Sequence, residues 1–234
     1  MVALGAGYYF FGEAAGEWYN RSLAPDDAVS GMVGNAAPMT FAELKQTQPE
    51  QHAALTADLN PIFRKTGKPS DELAVKLGED VEALRDRLLE DGANGDQHDL
   101  VSMMQYRSDN LERVMKRDGW EACNAYLIDG IKGLTGKPTF PAYIVNFDSE
   151  WAAFFRAAAE GTDALPESAQ LTDADWTNQT GITPEMWTKV HTRDPADPEL
   201  CQTHVWFLER LAVLSAGGPG DRLRTAYVLN GMKP

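Results

Sequence analysis

From Ser70 onward, Leu73, Leu77, Val81, Leu84 and Leu88 recur at intervals of four, four, three and four. That period places all five on one face of a helix. Glu79, Asp80, Glu82, Arg85 and Asp86 fall off that face, which predicts a helix with one apolar side and one solvated side. The pattern repeats from Gln97 to Lys116, where Leu100, Val101, Met104, Leu111 and Met115 line up, and from about Gly119 to Leu134, with Cys123, Leu127, Ile131 and Leu134. "DSEWAAFFRAAAEG" continues it between Asp148 and Gly161. Local stop and start signals delimit the segments. "TFAE" at 40 to 43 has the form of a capping box. Pro49 suits a first turn, Asn60-Pro61 predicts a helix end, Gly92 a stop, and Thr172 and Thr183 two further starts, the latter followed by Pro184. Two more helices fit between 197 and 232.

Only "PTFPAYIVNFD" at 138 to 148 has strand character, and one run cannot make a sheet. The expected fold is therefore all-α, a globular bundle of about eight to ten helices forming a single domain over residues 40 to 234. Residues 1 to 39 form an irregular lead-in. Its apolar start, "VALGAGYYFFG", is too short to span a bilayer and lacks the basic flank of a signal peptide. It reads either as an apolar arm packed on the domain or as the trimmed edge of a membrane anchor, with Tyr8, Tyr9, Phe10 and Phe11 at the interface level.

Charge narrows the partners. The chain has 35 Asp and Glu against 21 Lys and Arg, for a net charge of -14. Phosphate backbones are repelled by such a surface, so nucleic acid is not an expected partner.

The chain has two cysteines and four histidines, and Cys201 and His204 stand one helical turn apart in "DPELCQTHVWFLERLAVL". Turned at about 100° per residue, that segment puts His204 near the middle of an apolar arc formed by Leu200, Cys201, Phe207, Leu208, Leu211 and Leu214, among others. Pointing inward, His204 is expected to be a neutral core residue hydrogen bonded through a ring nitrogen. Three chemistries compete for Cys201. As a nucleophile it would need His204 beside it at a wet cleft. As a metal ligand it would join His204 and Cys123, one ligand short of a zinc site, so no metal or other cofactor is expected. As half of a disulfide it would meet Cys123, which also lies on an apolar helix face near an N-terminal end. That bond would close a 78-residue loop and implies an oxidising compartment.

Other motifs are weaker. "TGKPS" at 66 to 70 and "TGKPT" at 135 to 139 place proline where a phosphate loop needs Ser or Thr, and read as helix stops. "DGANGDQHD" lacks the alternating ligands of a calcium loop. "SAGGPGDR" at 215 to 222 reads as a plain loop before a helix. Two functions are then in play. The first is a non-enzymatic helical domain of the cell envelope that binds a protein or small ligand through exposed aromatics, of which Trp18, Trp151, Trp176 and Trp187 are the candidates. Its expected location is extracytoplasmic, with the cytoplasm as the alternative. The second is an all-α hydrolase or transferase using Cys201 and His204, or an unrecognised carboxylate pair.

Overall fold

The structure, a computed structural model, describes residues 37–66, 70–161 and 171–231. Among these there are eleven α-helices, one short 3-10 helix and no strand. In chain order the helices are α1 (Pro38–Thr47), α2 (Pro49–Thr66), α3 (Asp71–Arg87), α4 (Leu89–Ala93), α5 (Gln97–Asp118), α6 (Trp120–Asp129), the 3-10 turn (Gly130–Leu134), α7 (Phe140–Glu160), α8 (Asp173–Thr180), α9 (Pro184–Thr192), α10 (Leu200–Val213) and α11 (Pro219–Gly231). The fold class is all-α, as the spacing of apolar residues predicts. The N-terminal arm or anchor, with Trp18, lies outside the described residues.

The segment with strand character is the first half of α7, the central helix of the fold. It packs against α1, α3, α4 and α5. Tyr143, Ile144, Phe147, Trp151, Phe154 and Phe155 are all buried on it. In its first turns Pro141 and the β-branched and aromatic run Tyr143-Ile144-Val145 carry local strand character, while burial of Tyr143, Ile144 and Phe147 against neighbouring helices decides for helix. Pro141 falls in its first turn, where a missing N–H costs nothing. The other long helix, α5, packs mainly on α7 and on α10.

Several local expectations are corrected. Thr40 is not an N-cap, because α1 begins at Pro38. Its free amides are met from α7 instead: the Asp148 carboxylate accepts from the Met39 N–H at 2.9 Å and the Thr40 N–H at 2.8 Å. Glu43 turns away to accept from Arg156 at 3.1 Å. Helix α2 runs through Asn60-Pro61 to Thr66. Gly92 does not stop α3, which ends at Arg87; it lies inside α4, where a Cβ would come within 2.5 Å of the Phe154 ring. Its lack of a side chain permits close packing of α4 on α7. Glu82 and Arg85, expected on a solvated face, are buried. Glu82 accepts the Ile131 N–H at 2.9 Å, and Arg85 lies 4.0 Å from it.

Other starts stand as read. Ser70 caps α3 through the Leu73 N–H. Thr172 and Asp175 form a reciprocal capping box on α8, and Thr183 caps α9 ahead of Pro184. Gly136, in the second "TGKP" copy, has a φ of +80° just past the 3-10 turn, as expected of a stop. Of the 215 to 222 stretch only 215 to 218 is loop, since α11 starts at Pro219, and the Gly217 N–H donates to Asp221 of that helix at 2.8 Å.

Candidate functional site

The second half of the chain builds a concave site where α6, α8, α9, α10 and α11 converge. Stacking defines its walls. Trp176 of α8 and Trp187 of α9 lie face to face, ring centroids 4.9 Å apart and planes 25° apart. Phe207 of α10 closes on both at 5.7 Å, and Tyr227 of α11 meets Phe207 at 5.9 Å. The Trp176–Trp187 stack and the edge-on Trp187–Phe207 and Phe207–Tyr227 pairs are geometries that aromatic quadrupoles favour. The Trp187 indole donates to Asp173 at 3.0 Å, which fixes the ring from behind. Together with Ile128, Val190 and Ala226 these rings line a cleft of about 380 Å³, within the size range of small-ligand sites.

Its polar end comes from the last turn of α9. His191, Thr192 and Arg193 line it, with Asn230 opposite. None of the described lining residues is acidic. Arg193 is the C-cap of α9, with φ +46° and ψ +49°, the only residue other than glycine with positive φ among the described residues. Its N–H returns to the Lys189 carbonyl at 3.1 Å. A side chain in this left-handed region costs roughly 1 kcal/mol or more, so the surrounding structure must hold it there. That structure is the 194 to 199 loop. Asn124 donates to the Pro195 and Asp197 carbonyls at 3.1 and 2.8 Å, Lys189 pairs with Asp197 at 3.4 Å and with Glu199, and α10 follows at once. Burial lowers the pKa of Arg193; the Tyr227 phenol opposes this and the Arg107 charge adds to it.

Behind the cleft the core is unusually polar. Arg107 of α5 donates to Glu150 of α7 at 2.7 Å, and Asn110 donates to the other carboxylate oxygen at 2.9 Å. The guanidinium also lies 5.5 Å from the centre of the Tyr126 ring. Burial works against the charge of Arg107, yet Glu150 holds its pKa well above the ordinary value. The Tyr126 and Tyr227 hydroxyls, the Arg107 Nε and the Trp151 Nε1 are buried and have no hydrogen-bond partner among the described residues.

Cys201 and His204 are both fully buried on α10. Cys201 is joined to Cys123 of α6, with Cα atoms 5.8 Å apart. The sulfur is thus committed, and both side chains are buried, so the nucleophile that they might have formed is not assembled. His204 points into the core as its period predicts, but the expected ring hydrogen bond is not made: neither nitrogen has a partner of bonding geometry. Burial, then the charges of Arg193 and Arg107, pushes its pKa down to about 3, against a weak opposite pull from the Leu200 carbonyl.

Of the tryptophans singled out as exposed contacts, Trp151 is corrected. It is fully buried in α7, edge-on to Phe147. Trp176 and Trp187 are brought together, though as walls of a cleft and not as an exposed patch. The sequence reading missed Arg193, Phe207 and Tyr227 as site residues. A signal for Arg193 does exist, since "HTRDP" places it just past a helix and two residues before a proline, where a left-handed cap is common.

Elsewhere, carboxylate oxygens of Asp96, Asp99 and Glu160 lie within 4.8 Å of one another. Asp96 caps α5 through the His98 N–H, and Asp99 is paired with Arg156 at 3.0 Å. These existing partners account for two of the three. No helix among the described residues is long and apolar enough to cross a membrane. No family model, curated protein or solved structure matches the chain.

Proposed function

We propose that this chain is a helical binding domain that holds a small, largely apolar ligand in the cleft between α8, α9, α10 and α11, and that it works in an oxidising, extracytoplasmic compartment. One observation carries the ligand reading: the stacked Trp176–Trp187 pair, continued by Phe207 and Tyr227, forms the walls of a 380 Å³ cleft. Flat aromatic walls offer a large contact area with few rotatable bonds, so a ligand gains contact without ordering flexible side chains. The compartment is read from Cys123 and Cys201, the chain's only cysteines, which lie within bonding distance.

N-phenyl-1-naphthylamine, a neutral fluorophore, tests the cleft. Its emission should rise on addition of the native protein and saturate at one molecule per chain. Asn230 is exposed at the rim, so Asn230→Trp should block the site and abolish the rise while leaving the melting temperature in place. Equal binding by this variant removes the reading.

A further inference from the structure

We infer that the ligand carries a hydrogen-bond donor, an uncharged hydroxyl on a flat apolar body, and that His191 receives it at the mouth of the cleft. The inference rests on the cleft reading above and adds the polarity of the occupant's outer end. What carries it is how the side chains at the mouth are already engaged. His191, Thr192 and Asn230 line the cleft, and all three are exposed. Each gives a proton to the carbonyl four residues back on its own helix. His191 Nδ1 meets the Trp187 carbonyl at 3.3 Å, the Thr192 hydroxyl the Thr188 carbonyl at 3.0 Å, and the Asn230 amide the Ala226 carbonyl at 3.1 Å.

A carbonyl oxygen only accepts, so each of these bonds fixes where a proton sits. In His191 it sits on Nδ1, and the other nitrogen of the neutral imidazole, Nε2, is then an acceptor. Thr192, its hydrogen committed, keeps its lone pairs, and Asn230 keeps its Oδ1 together with one N–H. These three side chains therefore offer an incoming molecule mostly acceptors. The backbone leans the same way. Helix α9 ends at Thr192 and α11 at Gly231, so two helix C-termini, the ends that carry partial negative charge, stand at this mouth. None of the described lining residues is acidic, so no carboxylate there replaces the hydration that an ammonium group gives up. A hydroxyl, which costs far less to desolvate, fits that end.

Among the three acceptors His191 is singled out because its ring is fixed twice. Besides the Nδ1 bond, the imidazole meets the Trp187 indole edge to face, with centroids 4.0 Å apart, and Trp187 is itself anchored by Asp173. The imidazole thus borders the aromatic wall on which a flat ligand lies. Held in this way, it loses little freedom when it receives a hydroxyl.

The test compares 2-naphthol with 2-methoxynaphthalene, which keeps the rings and the oxygen but has no donor. Affinities are measured calorimetrically on the whole protein at pH 8, where both probes are uncharged. 2-Naphthol should bind one site about fivefold more tightly, the yield of one net hydrogen bond. His191→Phe keeps an aromatic ring at an exposed position and should make the two affinities equal, by weakening 2-naphthol while leaving 2-methoxynaphthalene within about twofold. His191→Gln, which retains an acceptor, should keep part of the preference. A loss that falls on both probes alike marks His191 as structural and overturns its role as acceptor. Equal affinities in the native protein, a measurement that needs no variant, overturn the donor and leave the cleft reading intact; so does a preference that survives His191→Phe. If neither naphthalene binds while N-phenyl-1-naphthylamine does, the hydroxyl falls alone; if that probe fails as well, the cleft reading falls with it.

Discussion

Replacing His204 with leucine should remove a specific part of the protein's acid sensitivity. In the folded chain the ring is 1% exposed with neither nitrogen bonded, and its pKa is pushed down to about 3. In the unfolded chain it returns to the ordinary value of 6.5. Between those two values the unfolded state takes up a proton that the native state refuses. The sign follows directly: this stability is fully present above 6.5 and is lost as the pH falls toward 3. At pH 4.5, two units below the unfolded value, the loss is about 3 kcal/mol, at roughly 1.4 kcal/mol per unit. Leucine is similar in volume and does not titrate. Urea unfolding at pH 7 and pH 4.5 should show that the native protein loses about 3 kcal/mol more between these conditions than His204→Leu, the contribution of every other group being shared. The reasoning is refuted if both proteins lose the same amount, or if proton NMR follows all four imidazoles titrating near 6.5.

Three further outcomes follow from single contacts. Cys123→Ala with Cys201→Ala should cost about 4 kcal/mol in equilibrium unfolding, the loop entropy of a 78-residue closure, and added reductant should then have no further effect. Gly95→Ala should cost about 1 to 3 kcal/mol, because a Cβ there would stand 2.2 Å from the Ala157 carbonyl oxygen, part of a helical backbone that cannot step aside; an unchanged melting temperature would contradict that crossing. Glu150→Ala leaves a fully buried Arg107 unpaired and should cost about 3 to 5 kcal/mol, whereas Arg107→Met combined with Glu150→Met should recover most of the loss in the same assay.

What the sequence disclosed depended on the distance over which each signal acts. The caps at Ser70, Thr172 and Thr183 are legible because donor and acceptor lie within three residues. The start of α1 is not, because its cap, Asp148, stands 108 residues from Thr40; a local Thr-Glu pattern offered a plausible substitute. Amphipathic helices such as α3 and α5 announce themselves by period, but even there a helix buried on more than one side misleads, and Glu82 and Arg85 went inside to meet each other and the Ile131 amide. The central helix α7 was legible only from Asp148 on, because the prolines and the Tyr-Ile-Val run of its first turns imitate a strand and only packing against α1, α3 and α5 decides for helix. The cleft lay beyond reach for a related reason. Trp176 and Trp187 were conspicuous as large aromatics, but that they stack on each other and line one cleft with Arg193 depends on the packing of five helices, which no spacing encodes.

The disulfide and the cleft are parts of one mechanical arrangement. Cys123 and Asn124 are adjacent on α6; the first is bonded to Cys201 at the start of α10, and the second holds the Pro195 and Asp197 carbonyls of the loop that leads there. The chain between Arg193 and Cys201 is therefore anchored at the Arg193 cap, through the loop's carbonyls, and by a covalent bond at its far end. A strained conformation persists only where its surroundings over-determine it, and this loop is over-determined. The aromatic walls depend on none of those ties, since Trp176, Trp187 and Phe207 are held by mutual stacking and by Asp173. The cleft thus has an apolar half secured by packing and a cationic half secured by the crosslinked loop. The Cys123–Cys201 bond thus ties down the far end of the loop whose near end is the left-handed Arg193 cap.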